Sequence, residues 1–388
     1  MKTATRIAAL SSAVFSQMDR LRQEVTAQGK DVINLGIGSP DRPPAPHVRE
    51  ALMKALARDD AYGYALSDGL PEFKEAVARW YAQRFGVQLD PAEEVLSLMG
   101  SQDGLGHIYL ALINRGDIAL IPDPGYPIYT AGLMLAEGEK YAMPLTRENH
   151  YLPDFDAIPR EVAQKAKMMV LNYPSNPLAA TAELDFFERA VAFASQNDIM
   201  ILHDVAYSEL AYDGYRPVSF LQVPGAKEVG IELHSVSKSY NLAGCRLGMA
   251  VGNKEILNAL NRIKSNIDYG VFKAVQWAAI AALEGPQDMV QENAFVYQKR
   301  RDLLVDGLTA LGWEMDKPKA SMFVWAPIPT GYSSSYDFAE QLIRKAGVLV
   351  IPGNAFGDLG EGYVRIALVV PDEKIIEAVQ RIGKAIAL

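Results

Sequence analysis

The sequence predicts an α/β protein with a large domain, built on a mostly parallel sheet, and a smaller α+β domain. Two observations support this prediction. From about residue 95, short apolar runs alternate with amphipathic helical stretches, and after Gly285-Pro286 this pattern changes. Strands separated by helices are typical of a parallel sheet that is covered on both faces. The length of 388 residues is sufficient for two domains.

The apolar runs of the predicted large domain, residues 46–284, are short enough to be buried strands. They are Val95–Met99, Ile118–Ile121, Met168–Leu171, Ile199–Leu202, Ile231–Leu233 and Leu247–Val251. Between them the apolar residues follow a helical period. This period predicts helices over Gly104–Ile113, Leu184–Gln196 and Lys254–Lys264.

The C-terminal residues 285–388 are predicted to form the small domain. A long helical pattern over Asp288–Leu311 is followed by the predicted strands Phe323–Ala326, Val348–Ile351 and Tyr363–Ile366, and by helices near Tyr336–Lys345 and Asp372–Ala387. Residues 1–45 lack a complete core of their own, so we expect them to pack with this domain. Several prolines between residues 40 and 46 indicate a turn-rich crossing between the two domains.

Composition excludes several classes of protein. The net charge is −9, whereas a nucleic-acid binder usually carries a basic excess, and an anionic membrane surface would repel this chain. No apolar run reaches the 18 residues that a membrane helix needs. Cys245 is the single cysteine, which fits a reducing cytoplasm. The five histidines show no metal-ligand spacing, so no metal site is expected.

Polar residues stand directly after the predicted strands, at the edge where open α/β sheets bind ligands. Gly100–Gly104 follows the first apolar run and opens a helix, whose N-terminus suits a phosphate group. Taken alone, these residues favour an ordinary strand–helix turn over a phosphate site. The chain contains no Walker motif and no G-x-G-x-x-G, so nucleotide and dinucleotide binding lack their usual signatures.

Two further loops follow buried strands. In Asn172–Pro177, two prolines fix the backbone. Asn176 could bind a ligand through a rigidly held amide, or the segment could simply be a structural turn. Asp204 follows Ile199–Leu202, where a buried carboxylate needs a positive partner or several donors. The preceding His203 is expected to be a packed core histidine.

Lys238 follows the apolar run Ile231–Leu233, where desolvation lowers the pKa of an amine and makes it nucleophilic. The hydroxyls of Ser235 and Ser237, together with the guanidinium of Arg246, would hold a phosphate dianion. A ligand with a phosphate, a carbonyl that meets Lys238 and a ring nitrogen that meets Asp204 is pyridoxal phosphate.

These landmarks, in this order along the chain, resemble those of fold-type I, class I aminotransferases over nearly the whole length. They are Asn176-Pro177, Asp204-x-x-Tyr207, Ser235-x-Ser237-Lys238, Arg246 and Arg365. The resemblance implies that Lys238 forms the internal aldimine and moves the α-proton, and that Asn176 and Tyr207 bind the ring hydroxyl. It also implies that Ser101, Gln102, Ser235, Ser237 and Arg246 hold the phosphate, and that Tyr126 stacks on the ring.

The same resemblance implies a homodimer with shared active sites, because Tyr64 resembles the tyrosine that reaches the phosphate of the neighbouring subunit. Arg365 would bind the α-carboxylate of amino-acid and 2-oxo-acid substrates, with Gly38 offering backbone close by. A structural ion pair is the alternative role for Arg365, since an arginine in an apolar strand needs a carboxylate.

Within this family, several segments are similar to bacterial LL-diaminopimelate aminotransferases. They are Leu35–Asp41, Gly69–Trp80, Pro122–Tyr129, Tyr212–Gly230 and Lys264–Gly270. The implied reaction exchanges an amino group between LL-diaminopimelate and 2-oxoglutarate in lysine biosynthesis. Asn266, Asp268 and Tyr269 would read the distal end of the substrate from the partner subunit, with Asp268 pairing to its ammonium.

The sequence departs from those enzymes at Phe15, Gln102 and Leu178-Ala179. Three alternatives therefore stay open at this point. The first is an aminotransferase for aspartate, aromatic or methionine-like donors. The second is a C–S lyase that uses the same lysine. The third is a non-catalytic regulatory domain that binds pyridoxal phosphate.

Overall fold

The computed structural model describes residues 4, 6–7, 10, 13–65 and 67–385. The helices are α1 (Ala13–Ala27), α2 (Pro46–Leu56), α3 (Pro71–Phe85), α4 (Ser101–Leu112), α5 (Pro127–Leu135), α6 (Arg160–Ala163), α7 (Leu184–Asn197), α8 (Ala226–Val229), α9 (Val236–Ser239), α10 (Lys254–Ile267), α11 (Lys273–Glu284), α12 (Asp288–Thr309), α13 (Ser335–Ala346) and α14 (Asp372–Ala385). None of these helices is long and apolar enough to cross a membrane.

The strands are β1 (Ile33–Asn34), β2 (Val95–Leu98), β3 (Ile118–Asp123), β4 (Glu139–Pro144), β5 (Ala166–Asn172), β6 (Met200–Asp204), β7 (Gly230–Ser235), β8 (Gly248–Gly252), β9 (Phe323–Pro327), β10 (Val348–Leu349), β11 (Ile351–Pro352) and β12 (Tyr363–Ala367). Each predicted strand overlaps an observed one. The predicted run Val348–Ile351 is split, because β10 pairs with β1 and β11 pairs with β12.

The large sheet has seven strands in the order β2-β8-β7-β6-β5-β3-β4. All its neighbouring strands are parallel except β8, which runs antiparallel to both β2 and β7. This arrangement confirms the predicted α/β fold with a mostly parallel sheet. The edge strand β4 was missed at the sequence level, because Glu139 and Lys140 interrupt its apolar pattern.

The C-terminal part carries the antiparallel sheet β11-β12-β9 and the two-stranded pair β1-β10. In that pair Ile33 lies opposite Val348, so the N-terminal segment pairs with a C-terminal strand. Residues 1–3, 5, 8–9 and 11–12 of the predicted N-terminal segment lie outside the described residues. The domain limits at residues 45 and 284 stay a prediction.

Parallel register brings the polar strand ends together. Asn172 at the end of β5 lies opposite Asp204 at the end of β6. Asp204 in turn lies opposite Leu233 on β7, and Ser235 ends that strand. The carboxyl ends of parallel strands meet at one edge of the sheet, so residues far apart in the sequence share one site.

Candidate active site

A cleft with a volume of about 420 Å³ lies at this edge of the large sheet. Its far wall comes from Arg365 on β12, Phe323 on β9 and Ile351 on β11. The predicted site residues that line it are Gly38, Ser101, Gln102, Tyr126, Asn176, Asp204, Tyr207, Ser235, Ser237, Lys238, Arg246 and Arg365. The cleft therefore gathers residues from both predicted domains and from the N-terminal segment.

Lys238 lies in α9, the single helical turn that follows β7 directly. The turn is capped by Ser235, whose Oγ accepts a hydrogen bond from Ser237 N at 3.1 Å. Lys238 Nζ donates to Gly38 O at 2.6 Å. Burial, with smaller contributions from Arg365 and Arg246, lowers the pKa of Lys238 to about 8. A substantial fraction of the amine is therefore neutral and nucleophilic near physiological pH.

The backbone at Gly38 approaches the wall of the cleft very closely. A Cβ atom at this position would lie 2.4 Å from Cζ of Phe323. Only glycine allows this approach, and it lets the carbonyl of residue 38 reach Lys238.

Asp204 is 5% exposed and ends strand β6. Tyr129 Oη donates to its Oδ2 at 2.8 Å, whereas its Oδ1 is buried and has no hydrogen-bond partner among the described residues. Burial raises the pKa of Asp204, while the Tyr129 hydrogen bond and the charge of His203 oppose that rise. An unpaired buried carboxylate oxygen that faces a cleft is suited to a positively charged N–H donor.

Asn172 fixes the loop between β5 and Asn176. Its Nδ2 donates to Asp204 O at 2.8 Å, and its Oδ1 accepts from Asn176 N at 2.7 Å. The side-chain Oδ1 of Asn176 then accepts from Arg365 at 2.8 Å. One asparagine thus links the strand that carries Asp204 to the residue that holds Arg365.

Arg365 is 4% exposed and lies between two aromatic rings, 4.2 Å from the ring centroid of Phe323 and 4.7 Å from that of Phe356. It also donates to Gly36 O at 2.6 Å, and its Nε has no hydrogen-bond partner in the described part of the chain. No carboxylate of the described residues forms a salt bridge with Arg365. Burial lowers its pKa to about 10. The structural ion pair considered for this residue is therefore absent from the described part of the chain.

The side chain of Arg246 approaches the backbone of the loop before α4. A Cβ at Gly100, which has φ +76°, would lie 2.5 Å from Arg246 Nη2. Arg246 Nη1 donates to Ala243 O at 3.0 Å, and Arg246 has a left-handed backbone with φ 53°. The helix N-terminus at Ser101 leaves its first amide groups available. This corner of the cleft could hold a phosphate dianion.

Two tyrosines complete the cleft. Tyr126 Oη donates to Gln102 Oε1 at 3.4 Å, and its ring contacts Tyr129 edge-on with centroids 5.9 Å apart. Tyr207 packs edge-on against Phe323 with centroids 5.7 Å apart. Burial raises the pKa of both phenols, so both are hydrogen-bond donors at neutral pH.

Tyr64 and Asn266 do not line the cleft of their own chain. The side chain of Tyr64 is 89% exposed and contacts Tyr269, and Asn266 Nδ2 donates to Arg262 O in its own helix at 2.7 Å. Asp268 has a different place from the one expected. Its Oδ2 accepts from Lys264 at 2.9 Å and its Oδ1 accepts from Gly270 N at 2.9 Å, so its charge is already paired.

The family model for aminotransferase class I and II matches residues 30–382 of this chain. The chain belongs to the class I and II aminotransferases. It is 52% identical over 381 residues to the LL-diaminopimelate aminotransferase of Syntrophobacter fumaroxidans, with 98% of each chain covered.

Solved structures agree with this assignment of the aminotransferase. Substrate-bound BacF from Bacillus subtilis superposes with a TM-score of 0.95 at 40% identity, covering 99% of this chain and 98% of that one. An aspartate aminotransferase of Thermus thermophilus, a single mutant, superposes with a TM-score of 0.93 at 28% identity, covering 99% of each chain. The expected aminotransferase family and fold type are confirmed.

Pyridoxal phosphate is the cofactor of this aminotransferase family, and the cleft fits it chemically. The unpartnered Oδ1 of Asp204 would accept the N–H of a protonated ring nitrogen. Lys238 has the lowered pKa that an amine needs to react with an aldehyde, and Arg246 belongs to the corner suited to a phosphate.

Sequence reasoning missed three residues of this aminotransferase site. Tyr129 lies three positions after Tyr126 and one helical turn along α5, so the helical period could have pointed to it. Asn172 belongs to the loop already singled out but was not assigned a part. The carbonyl oxygen of Gly36 accepts a hydrogen bond from Arg365. Because this contact uses the backbone, the side-chain pattern of the sequence does not predict it.

Proposed function

We propose that this aminotransferase moves an amino group from LL-diaminopimelate to 2-oxoglutarate, in lysine biosynthesis and in the reducing cytoplasm. The 52% identity to the Syntrophobacter fumaroxidans enzyme over nearly the whole of both chains supports this substrate. A second relative with the same name, from Moorella thermoacetica, is 51% identical over 386 residues. The single cysteine, Cys245, suits a compartment without disulfides.

The main support for the proposal is that the guanidinium of Arg365 and the amine of Lys238 lie in the same cleft. Arg365 is buried and forms no ion pair with the described carboxylates, and Lys238 has a pKa lowered to about 8. A buried guanidinium without a counter-ion is costly, so the cleft is suited to a ligand carboxylate. The planar guanidinium can grip the α-carboxylate of an amino acid and leave its Cα–H near Lys238.

Bound pyridoxal phosphate supplies an electron sink for the carbanion that forms when the Cα proton leaves. The residues of the chain support that chemistry from three sides. Asp204 Oδ1 would keep a proton on the ring nitrogen, Tyr207 and Asn176 would bind the ring hydroxyl, and Tyr126 would stack on the ring. The hydroxyls of Ser235 and Ser237, the guanidinium of Arg246 and the amides of Ser101 and Gln102 would hold the phosphate.

Lys238 is the residue that moves the proton. Its Nζ would attach the cofactor between turnovers, and as a free amine it would take the Cα proton of the substrate and release it again during the transfer of the amino group. Closure of the small domain over the substrate, through Arg365 and Gly38, would exclude water from this step.

The cleft also has polar groups suited to a substrate with a second polar end. The carboxylate of Asp19 and the side-chain amides of Asn34 and Gln102 line it, among apolar side chains such as Phe15 and Ile37. A carboxylate complements the ammonium at the distal end of diaminopimelate, and an amide N–H can donate to its carboxylate. Asn266 of a second subunit would add another amide.

We infer a homodimer with shared sites from the surface around Tyr64. The aromatic side chains of Tyr62, Tyr64, Tyr269 and Phe272 are exposed and touch in pairs, with ring centroids 5.9 Å apart for Tyr62–Phe272 and 5.3 Å apart for Tyr64–Tyr269. Exposed apolar patches of this kind mark interaction surfaces. A second copy of the chain would cover the patch and bring Tyr64 to the phosphate of its partner.

The visible absorption spectrum of the cofactor-loaded protein tests the substrate. LL-diaminopimelate is added without any keto acid, and the long-wavelength band of the cofactor should vanish as the amino group is transferred. Adding 2-oxoglutarate should restore the band. L-aspartate, L-phenylalanine and L-methionine are compared at the same concentrations, and the Lys238→Ala protein serves as the unreactive control.

Persistence of the band with millimolar LL-diaminopimelate, together with its loss on adding one of the other donors, would reject the proposed substrate. Release of pyruvate from a thioether amino acid, without any need for a keto acid, would indicate a lyase. Both outcomes leave the family assignment unchanged.

A further inference from the structure

Two buried ionisable side chains, those of His203 and Glu232, contact each other on the face of the large sheet that points away from the cleft. His203 on β6 and Glu232 on β7 are direct cross-strand neighbours, and neither is exposed to solvent. The His203 Nδ1 and Glu232 Oε1 atoms are 2.9 Å apart. Phe187 and Phe220 pack against the imidazole, so no water reaches it from that side.

Two hydrogen-bond donors face the carboxylate of Glu232. Ser219 Oγ donates to its Oε2 at 2.7 Å, and Phe220 N donates to its Oε1 at 2.9 Å. Both bonds leave the carboxylate free to accept a further hydrogen bond from His203 Nδ1. A carboxylate that receives several hydrogen bonds favours its charged form even when it is buried.

The other nitrogen of His203 also faces an acceptor. His203 Nε2 lies 3.2 Å from Tyr173 O, and a carbonyl oxygen can only accept. Nε2 must then carry a proton to form this bond, and Nδ1 must carry one to reach the ionised Glu232. Both ring nitrogens carry protons only in the imidazolium form.

We propose that Glu232 holds His203 as a permanent imidazolium, and that this cation is a positioning residue for the Asp204 carboxylate. His203 and Asp204 are consecutive in β6, so their side chains point to opposite faces of the sheet. The positive ring stands directly behind the carboxylate that faces the cleft. The positioning role of His203 rests on the proposed function, in which Asp204 binds the ring nitrogen of the cofactor. The protonation state of His203 does not depend on that function.

The environment of the pair supports a fixed charge near neutral pH. The other titratable groups close to it are Tyr81, His234 and Asp204. Burial lowers the pKa of His234 to about 3 and raises that of Tyr81 well above its ordinary value, so both are neutral. The charge of His203 also opposes the rise in the Asp204 pKa that burial causes.

Proton NMR of protein with ¹⁵N-labelled histidine tests the protonation state directly. The expected result is two low-field N–H signals from His203 that persist from pH 6 to pH 9 and disappear in the His203→Gln variant. His234 provides an internal control with one N–H, since its Nδ1 has no partner and its Nε2 faces Ser208. A single N–H at His203, or loss of one signal within this pH range, would overturn the proposal.

The Glu232→Gln variant tests the effect on the site. We expect it to lose one His203 signal, to bind pyridoxal phosphate about tenfold more weakly and to lose about tenfold in kcat. Ser219→Ala is the matched control, because it removes a hydrogen bond from Glu232 without changing either charge. It should keep both signals and stay within about twofold of the wild type in affinity and kcat.

If Glu232→Gln lowers only the melting temperature and leaves cofactor affinity and kcat unchanged, the pair is structural and the positioning role is wrong. Cofactor affinity is measured by fluorescence titration of cofactor-free protein and needs no amino donor. The effect of Glu232→Gln on cofactor affinity can therefore be interpreted even if LL-diaminopimelate is not a substrate.

Discussion

At the scale of single residues, the site contains buried polar atoms that form no hydrogen bond within the described part of the chain. Asp204 Oδ1 and Arg365 Nε are both buried without partners among the residues that the structure describes, whereas other buried charges such as Lys264 are paired. Unused capacity of this kind costs free energy in the ligand-free protein. It is recovered when a ligand supplies the missing donor or acceptor, which links cofactor and substrate binding to stability.

The lowered pKa of Lys238 predicts how the cofactor-free protein takes up pyridoxal phosphate. Because only the neutral amine attacks the aldehyde, the rate should rise with pH and level off above a midpoint of about 8. At pH 7 about one tenth of the amine is neutral. Stopped-flow absorbance measures the rate, and Lys238→Ala, which cannot attach the cofactor, is the control. A rate that keeps rising beyond pH 10 would show an ordinary lysine.

At the scale of elements, a second charged cluster joins α4 to α10. Lys264 is fully buried in α10 and pairs with Asp103 in α4 and with Asp268 after α10. Asp103 also accepts from Met99 N at 2.8 Å, which anchors the loop that leads to Ser101. The lysine thus ties the predicted phosphate corner to the turn that carries Tyr269. Two carboxylates around one ammonium explain why Asp268 is not free to bind a substrate.

Replacing Lys264 by Met should destabilise the protein by about 3 kcal/mol, because Asp103 and Asp268 would lose the ammonium that pairs with both and would keep only the imidazole of His107 nearby. Urea denaturation of the cofactor-free protein measures this loss. Lys254→Met is the matched control in the same helix, since Lys254 pairs with Glu93 at the exposed surface and its replacement should leave the stability close to that of the wild type. Equal stability of the two variants would contradict the buried role of Lys264.

At the scale of the whole molecule, the cleft needs every part of the chain. The N-terminal segment contributes Gly38, the large sheet contributes Lys238 and Asp204, and the C-terminal sheet contributes Arg365. The pairing of β1 with β10 fixes the first of these against the last. Motion of the N-terminal segment and the C-terminal sheet together, relative to the large sheet, would therefore open and close the cleft.

The proposed sharing of sites between subunits predicts the behaviour of a mixed dimer. In a purified heterodimer of Lys238→Ala and Tyr64→Ala subunits, one site would combine an intact Lys238 with an intact Tyr64 from the other subunit. Its activity should be about half that of the wild-type dimer, well above either variant homodimer. Two affinity tags allow the heterodimer to be isolated and assayed. No recovery would mean that Tyr64 serves its own subunit.

The sequence by itself determined the alternation of strands and helices, and with it the fold. It also pointed to the polar residues after the strands, including Lys238 and Asp204, and their order identified the family. These features are local, because hydrophobic period and strand-end position can be seen along the chain. The role of Arg365 came from the resemblance to the family, because its place in an apolar strand is equally consistent with a structural ion pair.

Only the tertiary structure decided which of these polar groups are already satisfied. It showed that Asp268 is paired with Lys264, that Arg365 lacks a carboxylate among the described residues, and that Tyr129 donates to Asp204. It also showed the Glu232–His203 pair behind the sheet. The Tyr129–Asp204 and Glu232–His203 contacts join residues from different elements, so they depend on how the elements pack and no period along one element predicts them. Lys264 and Asp268 are four residues apart at the end of α10, but only the packing of α4 shows that Asp103 shares the same ammonium.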